Sequence, residues 1–383
     1  MAGKKNRVPG KKVRCPGGYL AFAPDPLPPE LDWTPILVSA LSDADRLIGR
    51  LAGEGGKLPN PHLLMRPFLA REAVLSSRIE GTQATLGELL ADEAGASVKR
   101  SPHELREVAN YVAALEYGLR RLKKLPLSLR LIREVHGKLM TGVRGNVATP
   151  GEFRRSQNWI GQAGSTPATA TYIPPPPAEM KECLADLERF LHETVLPPLV
   201  QVALAHYQFE AIHPFLDGNG RVGRLLITLF LVERGILPTP LLYLSAFFEA
   251  TRREYYDGLR GVSERGEWER WLGYFLNGVA RQSEDALGRA ERINRRLSAW
   301  RLGIAGISSR TPALLLERLS ANPFQTVNKA ALEMGMAFTT VQRAMEKLES
   351  LSIVTEVSGG KRDRVYCARA LMDILEEPAR LAP

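Results

Sequence analysis

The sequence predicts a mainly α-helical protein with one β-hairpin in its middle and a winged helix-turn-helix at its C-terminal end. Three observations predict it. Apolar residues recur at helical spacing over most of residues 36–300. The segment Gly151–Pro177 breaks that pattern with two short β-like pieces around a Gly-Ser-Thr-Pro turn. Residues 311–369 then read as helix, turn, helix and basic hairpin.

Taken in order, residues 1–35 form a basic and then Pro-rich arm, extended through Pro16, Pro24, Pro26, Pro28, Pro29 and Pro35. An N-terminal helical region follows over 36–140. Its clearest stripe is Leu64, Phe68, Leu75 and Ile79, at spacings of 4, 7 and 4. Further helices are expected at 102–123 and 127–140. The hairpin ends at Pro174–Pro177, which lead stiffly into a helix near Ala178. In 199–212, Val200, Leu204, Tyr207 and Ala211 share a face. A polar, glycine-rich loop interrupts at 213–220. The apolar run Leu225–Val232 restarts the helix, which stops near Gly235 with Pro238 beyond. More helix is expected at 249–262 and 267–299. Gly303, Gly306, Ser308 and Ser309 mark a linker, so the chain divides into 1–35, 36–140, 141–302 and 308–370.

Composition limits the function classes. The 383 residues suggest two or three domains at about 150 residues each. With 44% hydrophobic and 24% charged residues, the chain has enough apolar material for a core, against a largely disordered protein. No apolar run approaches the roughly 18 residues of a membrane span, and no basic-then-apolar leader opens the chain. Cys15, Cys183 and Cys367 have neither disulfide-framework nor zinc spacing, which fits a reducing cytoplasm. Six of the nine net positive charges lie in residues 1–14 (Lys4, Lys5, Arg7, Lys11, Lys12, Arg14), leaving a body at +3. The plain reading of that tail is a solvated terminus, and the sharper one is weak nucleic-acid contact.

The chemistry concentrates in His213-Pro214-Phe215-Leu216-Asp217-Gly218-Asn219-Gly220-Arg221-Val222-Gly223-Arg224. Histidine is the side chain best poised to take a proton near neutral pH. Asp217 offers hard oxygens suited to Mg²⁺. Gly218 and Gly220 let backbone N–H groups approach an anion. The loop feeds into an apolar helix, whose positive N-terminal end favours phosphate. Arg221 and Arg224 both reach phosphate oxygens from the first helical turns. Base, metal ligand, anion nest and two arginines together imply phosphoryl or nucleotidyl transfer to a hydroxyl. The bland alternative is a helix–loop–helix turn with a core histidine, and it leaves most of these residue types unexplained.

This stretch resembles the signature of the Fic family, His-Pro-Phe-x-Asp/Glu-Gly-Asn-Gly-Arg-x-x-Arg, without a departure. The resemblance extends over roughly residues 30–300 and implies a Fic-type helical core with a β-hairpin flap. Family members typically transfer AMP from ATP to a Ser, Thr or Tyr hydroxyl of a protein. The resemblance therefore implies His213 as the base and Asp217 as the Mg²⁺ ligand. It places ATP phosphates against Gly218, Asn219, Gly220, Arg221, Val222, Gly223 and Arg224. The kinase branch of the family alters the glycine–arginine portion, which is intact here; another nucleotide donor stays an alternative. Gly151 to Arg154 and Trp159 to Tyr172 resemble the flap, which in relatives pairs with an extended target segment. Tyr255-Tyr256 resembles a pair lying against the nucleotide base, with Tyr256 as the contact.

Ser76-Ser77-Arg78-Ile79-Glu80-Gly81 resembles the inhibitory-helix pattern Ser/Thr-x-x-x-Glu-Gly/Asn, on a helix of about 64–80. The resemblance implies that Glu80 pairs with Arg224, so that ATP binds unproductively. A capping box or an exposed i,i+4 pair is the ordinary alternative. In some relatives the same glutamate positions water to remove AMP.

In the C-terminal module, Thr339, Thr340, Gln342 and Arg343 are candidates to face bases, and Lys361, Arg362 and Arg364 to reach phosphate. Eight Lys/Arg against six Asp/Glu from Arg310 to Tyr366 temper this, because a strong DNA reader is usually more basic. The expected partners are thus a target protein, the chain itself through self-modification, DNA through the winged helix, a second copy in a homodimer, and no membrane. The rival is a DNA-binding regulator whose loop only senses nucleotide; the intact His213 argues against it, since a sensor needs no base.

Overall fold

The computed structural model describes residues 8–57, 61–143, 149–162, 164–359 and 363–379. Lys4, Lys5 and Arg7 of the basic tail, and Lys361 and Arg362 of the basic hairpin, lie outside the described residues.

The N-terminal arm departs from the extended segment that its prolines suggest. Strands β1 (Gly10–Arg14) and β2 (Leu20–Pro24) pair antiparallel, Gly10 opposite Pro24 and Arg14 opposite Leu20. Gly17 and Gly18 take φ of 100° and 86° in the turn, a region open to glycine. Cys15, Ala21 and Ala23 are buried, and Phe22 N donates to Ile173 O at 2.9 Å. Burial of these small apolar residues outweighs the local preference of the flanking prolines. Only after Pro24 does the arm run without helix or strand, up to residue 34.

Helices follow as α1 (Pro35–Lys57), α2 (Pro61–Ile79), α3 (Leu86–Glu93), α4 (Pro102–Leu122), α5 (Leu129–Leu139), α6 (Pro177–Leu191), α7 (Pro198–Ile212), α8 (Asn219–Glu233), α9 (Ser245–Ala250), α10 (Arg252–Arg265) and α11 (Trp268–Ile304). Their starts carry local signals. Thr85 and Glu88 form a capping box on α3, Ser128 caps α5, and prolines open α4, α6 and α7.

Helix α7 is the hub. Every residue from Leu199 to Ile212 except Glu210 is buried, as expected of a helix apolar on all sides. It packs against α6, α8, α10 and α11. Its buried amides find carbonyl partners for their donors: Gln201 donates to Phe190 O at 2.6 Å, and Gln208 to Asp25 O at 2.9 Å.

The chain then continues as α12 (Thr311–Ala321), β3 (Phe324–Thr326), α13 (Val327–Met334), α14 (Phe338–Ser350), β4 (Thr355–Glu356), β5 (Val365–Cys367) and α15 (Arg369–Glu376). The three strands form an antiparallel sheet in the order β3-β5-β4. Gly335, at φ 62°, ends α13 and turns the chain toward α14. On α14, Val341, Ala344, Met345 and Leu348 are buried, while Thr339, Thr340 and Arg343 are exposed.

Helix α2 lies between these parts. It packs on α4, α8 and α9 on one side and on α12 and α15 on the other. Its buried Glu72 accepts from Tyr111 Oη at 3.0 Å and from Ser245 Oγ at 2.5 Å. Glu72 thereby joins α2 to α4 and α9 from inside.

Candidate functional site

The loop 213–218 joins the C-terminus of α7 to the N-terminus of α8. His213 closes α7 in a left-handed conformation, φ 49° and ψ 60°, with its N–H on Phe209 O at 3.0 Å. For a non-glycine residue that conformation costs ~1–2 kcal/mol, so the surroundings must impose it. Phe215 anchors the loop in the core and stacks on His136, with centroids 3.7 Å apart and planes within 6°.

Asn219 is buried and braces the loop. Its Oδ1 accepts from Phe215 N and its Nδ2 donates to Phe215 O, both at 2.8 Å. Gly218 N donates to Asp217 Oδ1 at 2.6 Å, and Val222 N to Gly218 O at 3.0 Å. The open N–H groups of the α8 start therefore belong to Asn219, Gly220 and Arg221. The N–H of Val222, expected among the phosphate contacts, is already used by the helix. Gly223 has a packing reason: a Cβ there would overlap the Glu210 carboxylate, and its carbonyl bonds His206 Nδ1 at 3.1 Å.

Arg221 and Arg224 are both buried. Arg221 lies 3.6 Å from Asp217 Oδ1, and its Nε has no hydrogen-bond partner among the described residues. A buried, unpartnered guanidinium donor suits an absent anion. Arg224 is held on one edge of its guanidinium: Nε donates to Ser76 Oγ at 2.7 Å, Nη2 to Ser76 O at 2.9 Å, and Nη2 to Glu80 Oε1 at 2.7 Å. Glu80 sits one residue beyond the end of α2, and Gly81, at φ 104°, lets the chain turn away. A Cβ on Gly220 would overlap Glu80 Oε1, so the carboxylate fills the space directly over the α8 start.

The electrostatics follow from this packing. Burial alone would raise the Glu80 carboxyl; the charge and hydrogen bond of Arg224, with Arg221 and His213, outweigh it and lower the pKa. Burial lowers His213 to about 4, and the positive charge of Arg154 acts in the same direction, so the imidazole is neutral at pH 7. Burial raises Glu210 to about 7, offset in part by Arg224. Asp217 is more than half exposed at the mouth of the loop, and its hard carboxylate oxygens are of the kind that could hold Mg²⁺.

The structure brings His213, Asp217, Gly218–Arg224, Ser76 and Glu80 together. Tyr255 and Tyr256 separate. Tyr255 is buried and donates to His206 Nε2 at 2.9 Å, while Tyr256 is 42% exposed with the Arg252 guanidinium 5.9 Å from its ring. The predicted hairpin is reduced to one antiparallel bridge, Ile160 with Tyr172. Between them, donors close short turns instead, such as Trp159 Nε1 to Ser165 O at 2.7 Å and Ser165 N to Gln162 O at 2.9 Å.

Two further histidines, His136 and His206, are part of the site's frame. His136 accepts from Gly151 N at 2.8 Å through Nδ1 and meets Asp217 O at 3.1 Å through Nε2, so its neutral form bridges α5, the flap and the loop. His206 supports Gly223 and Tyr255 from behind. The available signal was their place on apolar helix faces, where an imidazole must find partners for both nitrogens. Arg154 belongs with them: it is 2% exposed and donates Nε to His213 O at 2.9 Å.

Comparison with known proteins agrees with this geometry. Residues 38–120 match the Fic/DOC family N-terminal profile, and residues 126–231 match the Fic/DOC family profile. The protein adenylyltransferase Fic of Drosophila erecta is 31% identical over 192 residues, 49% of this chain and 35% of that one. Its counterpart in Drosophila melanogaster is 30% identical over 192 residues, covering 49% and 36%. The matched region thus spans about a third of the length of these relatives. A Fic family protein from Desulfovibrio desulfuricans superposes with a TM-score of 0.60 at 23% identity, covering 89% of this chain and 98% of that one. A Fic domain containing signaling protein from Bacteroides thetaiotaomicron superposes at 0.52 and 21% identity, covering 67% and 97%. At these identities the structural likeness speaks for the fold.

Proposed function

We propose, from the premise that this chain belongs to the Fic family, that it is a protein adenylyltransferase held in an inhibited state by Glu80. The observation that carries the reading is the neutral His213, turned left-handed beside the open N–H groups of α8 and the two buried arginines. ATP is the proposed donor, and a Ser, Thr or Tyr hydroxyl of a protein the acceptor. The hydroxyl oxygen attacks the α-phosphorus, and the bond to pyrophosphate breaks. The neutral imidazole of His213 takes the hydroxyl proton. The N–H groups of Asn219, Gly220 and Arg221, at the positive end of α8, hold phosphate oxygens. Arg221 and Arg224 stabilise charge on the leaving pyrophosphate. Asp217 fits a Mg²⁺ ligand, since its carboxylate is exposed beside that nest; bound there, the ion would neutralise phosphate charge. Tyr256, exposed near this end of α10, is the proposed contact for the base.

Glu80 is the brake in this reading. Its carboxylate pairs with Arg224 and fills the space over Gly220, where a polyphosphate must lie. A negative charge there repels the substrate, and the pair removes the second arginine from it. The target is proposed to dock along the flap beside Trp159 and Ile160, both partly exposed. For residues 308–370 we propose a winged-helix docking module, with exposed Thr339, Thr340 and Arg343 on its DNA-facing side. Titration of labelled DNA at low and high salt checks this, and absent or salt-insensitive binding removes it. The setting proposed is the cytoplasm, supported by three free, buried cysteines.

The test of the transferase reading uses Glu80→Gly protein with Mg²⁺ and ATP labelled at the α-phosphate, beside Glu80→Gly/His213→Ala. Label that depends on His213 supports it. Nucleotide binding without label points instead to another donor or to a sensor.

A further inference from the structure

Five consecutive carbonyl oxygens, Ala211 to Phe215, each accept a hydrogen bond from the flap or its root. Tyr172 Oη donates to Ala211 O at 2.8 Å. Arg154 Nη2 donates to Ile212 O at 3.4 Å, and Arg154 Nε to His213 O at 2.9 Å. The backbone N of Arg154 donates to Pro214 O at 2.9 Å, and Asn158 Nδ2 to Phe215 O at 2.9 Å. This run spans the point where α7 ends and the chain turns left-handed at His213. Helix ends leave carbonyls without partners, and here one segment supplies a donor to each of the five, with Asn219 Nδ2 adding a second to Phe215 O.

Arg154 is the centre of the arrangement. Its remaining donors reach Ser156 O at 3.2 Å and Pro175 O at 2.5 Å, so it ties together the two roots of the flap. It is 2% exposed and forms no ion pair among the described residues. A guanidinium buried without a carboxylate is unfavourable unless its geometry is needed, and its planar fork fixes several acceptors at once. Burial lowers its pKa to about 10, which leaves it charged at pH 7.

We infer that Arg154 is a positioning residue for His213: its fork and the flap root together template the left-handed turn that aims the imidazole. The inference rests on the reading of His213 as the base, and it extends that reading to the acceptor side. A target strand docked on the flap docks on the segment that is bonded directly to the base-bearing turn. Flap position and imidazole position are then set by one network.

The experiment compares Glu80→Gly with Glu80→Gly/Arg154→Met and Glu80→Gly/Arg154→Lys. Rates of AMP transfer are measured against ATP concentration. In parallel, ¹H–¹³C spectra of protein labelled in histidine are recorded, with His213 assigned through His213→Gln. We expect Arg154→Met to lower kcat by about tenfold or more with KM for ATP within about twofold, since a misplacement near 1 Å can cost that much. The His213 resonance moves, those of His103 and His192 stay, and Arg154→Lys recovers only part of the rate. A His213 resonance that stays in place, or shifts spread equally over all histidines in step with a fall in Tm, overturns the inference. Should the methionine variant not fold, the lysine variant carries the same comparison. The spectra need no turnover. If Glu80→Gly transfers no AMP, the functional reading fails while the placement of His213 by Arg154 is still decided.

Discussion

Glu80 and Arg224 form a contact of 2.7 Å that reaches across 144 residues of chain, from the end of α2 to the second turn of α8. Arg224 is buried and Glu80 is about one-third exposed, so the pair sits at the rim of the site with its charge facing the nest. The first prediction follows. Glu80→Gly frees Arg224 and removes the repulsion, and raises AMP transfer at least about tenfold, equivalent to ~1.4 kcal/mol. Glu80→Gln, which keeps the shape and loses the charge, falls between the two. Equal labelling of all three proteins would remove the brake.

Gly220→Ala separates the two roles of that space. The new Cβ would overlap Glu80 Oε1 and stand 3.0 Å from Arg224 Nη1. It unseats Glu80, yet it occupies the place of a phosphate oxygen. The expected outcome is no label from Gly220→Ala in either the native or the Glu80→Gly background, with ATP binding weakened in calorimetry. Activation by Gly220→Ala alone would show that phosphate does not lie there.

The sequence made the loop legible because its candidate residues are consecutive: twelve positions hold the proposed base, the helix-start N–H groups and both arginines. Glu80 was legible through a short local pattern. The frame was not. Arg154, His136 and His206 act through contacts with residues distant in sequence, such as those 59, 81 and 17 positions away, and no periodicity records such pairs. The helices were readable from apolar spacing. The strands of the arm were not legible, because prolines lie around them and the strand residues they bury, Ala21 and Ala23, are small. The β-like character of the flap was legible, though not its extent: one bridge pairs Ile160 with Tyr172, because its side chains and amides close turns locally.

Arg289→Met is expected to loosen the C-terminal unit before the core. Arg289 is 1% exposed, pairs with Asp285 through two bonds of 2.7 and 3.0 Å, and donates to Glu377 O at 2.8 Å and Pro378 O at 3.1 Å. Its loss leaves the buried Asp285 carboxylate with Arg71 at 3.9 Å, and Glu377 O with the longer 3.4 Å bond from Arg71, a cost of ~3 kcal/mol. Hydrogen exchange checks this: amides of α15 lose protection while those of α7 keep theirs. Uniform loss across the chain would show that the two parts unfold as one.

The last prediction concerns acid. Burial lowers His136 from its usual value near 6.5 to about 4, and His206 to about 3. Both are neutral in the folded protein at pH 7, and above pH 6.5 the unfolded chain is neutral there too. As pH falls below 6.5, the unfolded state takes up protons that the folded state refuses, so stability declines down to about pH 4. For His136 alone the full effect is ~3 kcal/mol, since one pKa unit corresponds to 1.36 kcal/mol. The lowered Glu80 acts in the same direction only below its usual 4.5, whereas Glu210, raised to about 7, opposes the histidines across the window from pH 6.5 to 5, so the share of His136 is read from the difference between the native protein and a His136 variant. Urea midpoints measured across that window should fall for the native protein. His136→Asn should be less stable at pH 7, having lost the bridge between Gly151 and Asp217, and should fall less steeply with acid. Parallel curves for the two proteins would mean that His136 is already protonated in the fold, and that its bond from Gly151 N is not made by a neutral ring.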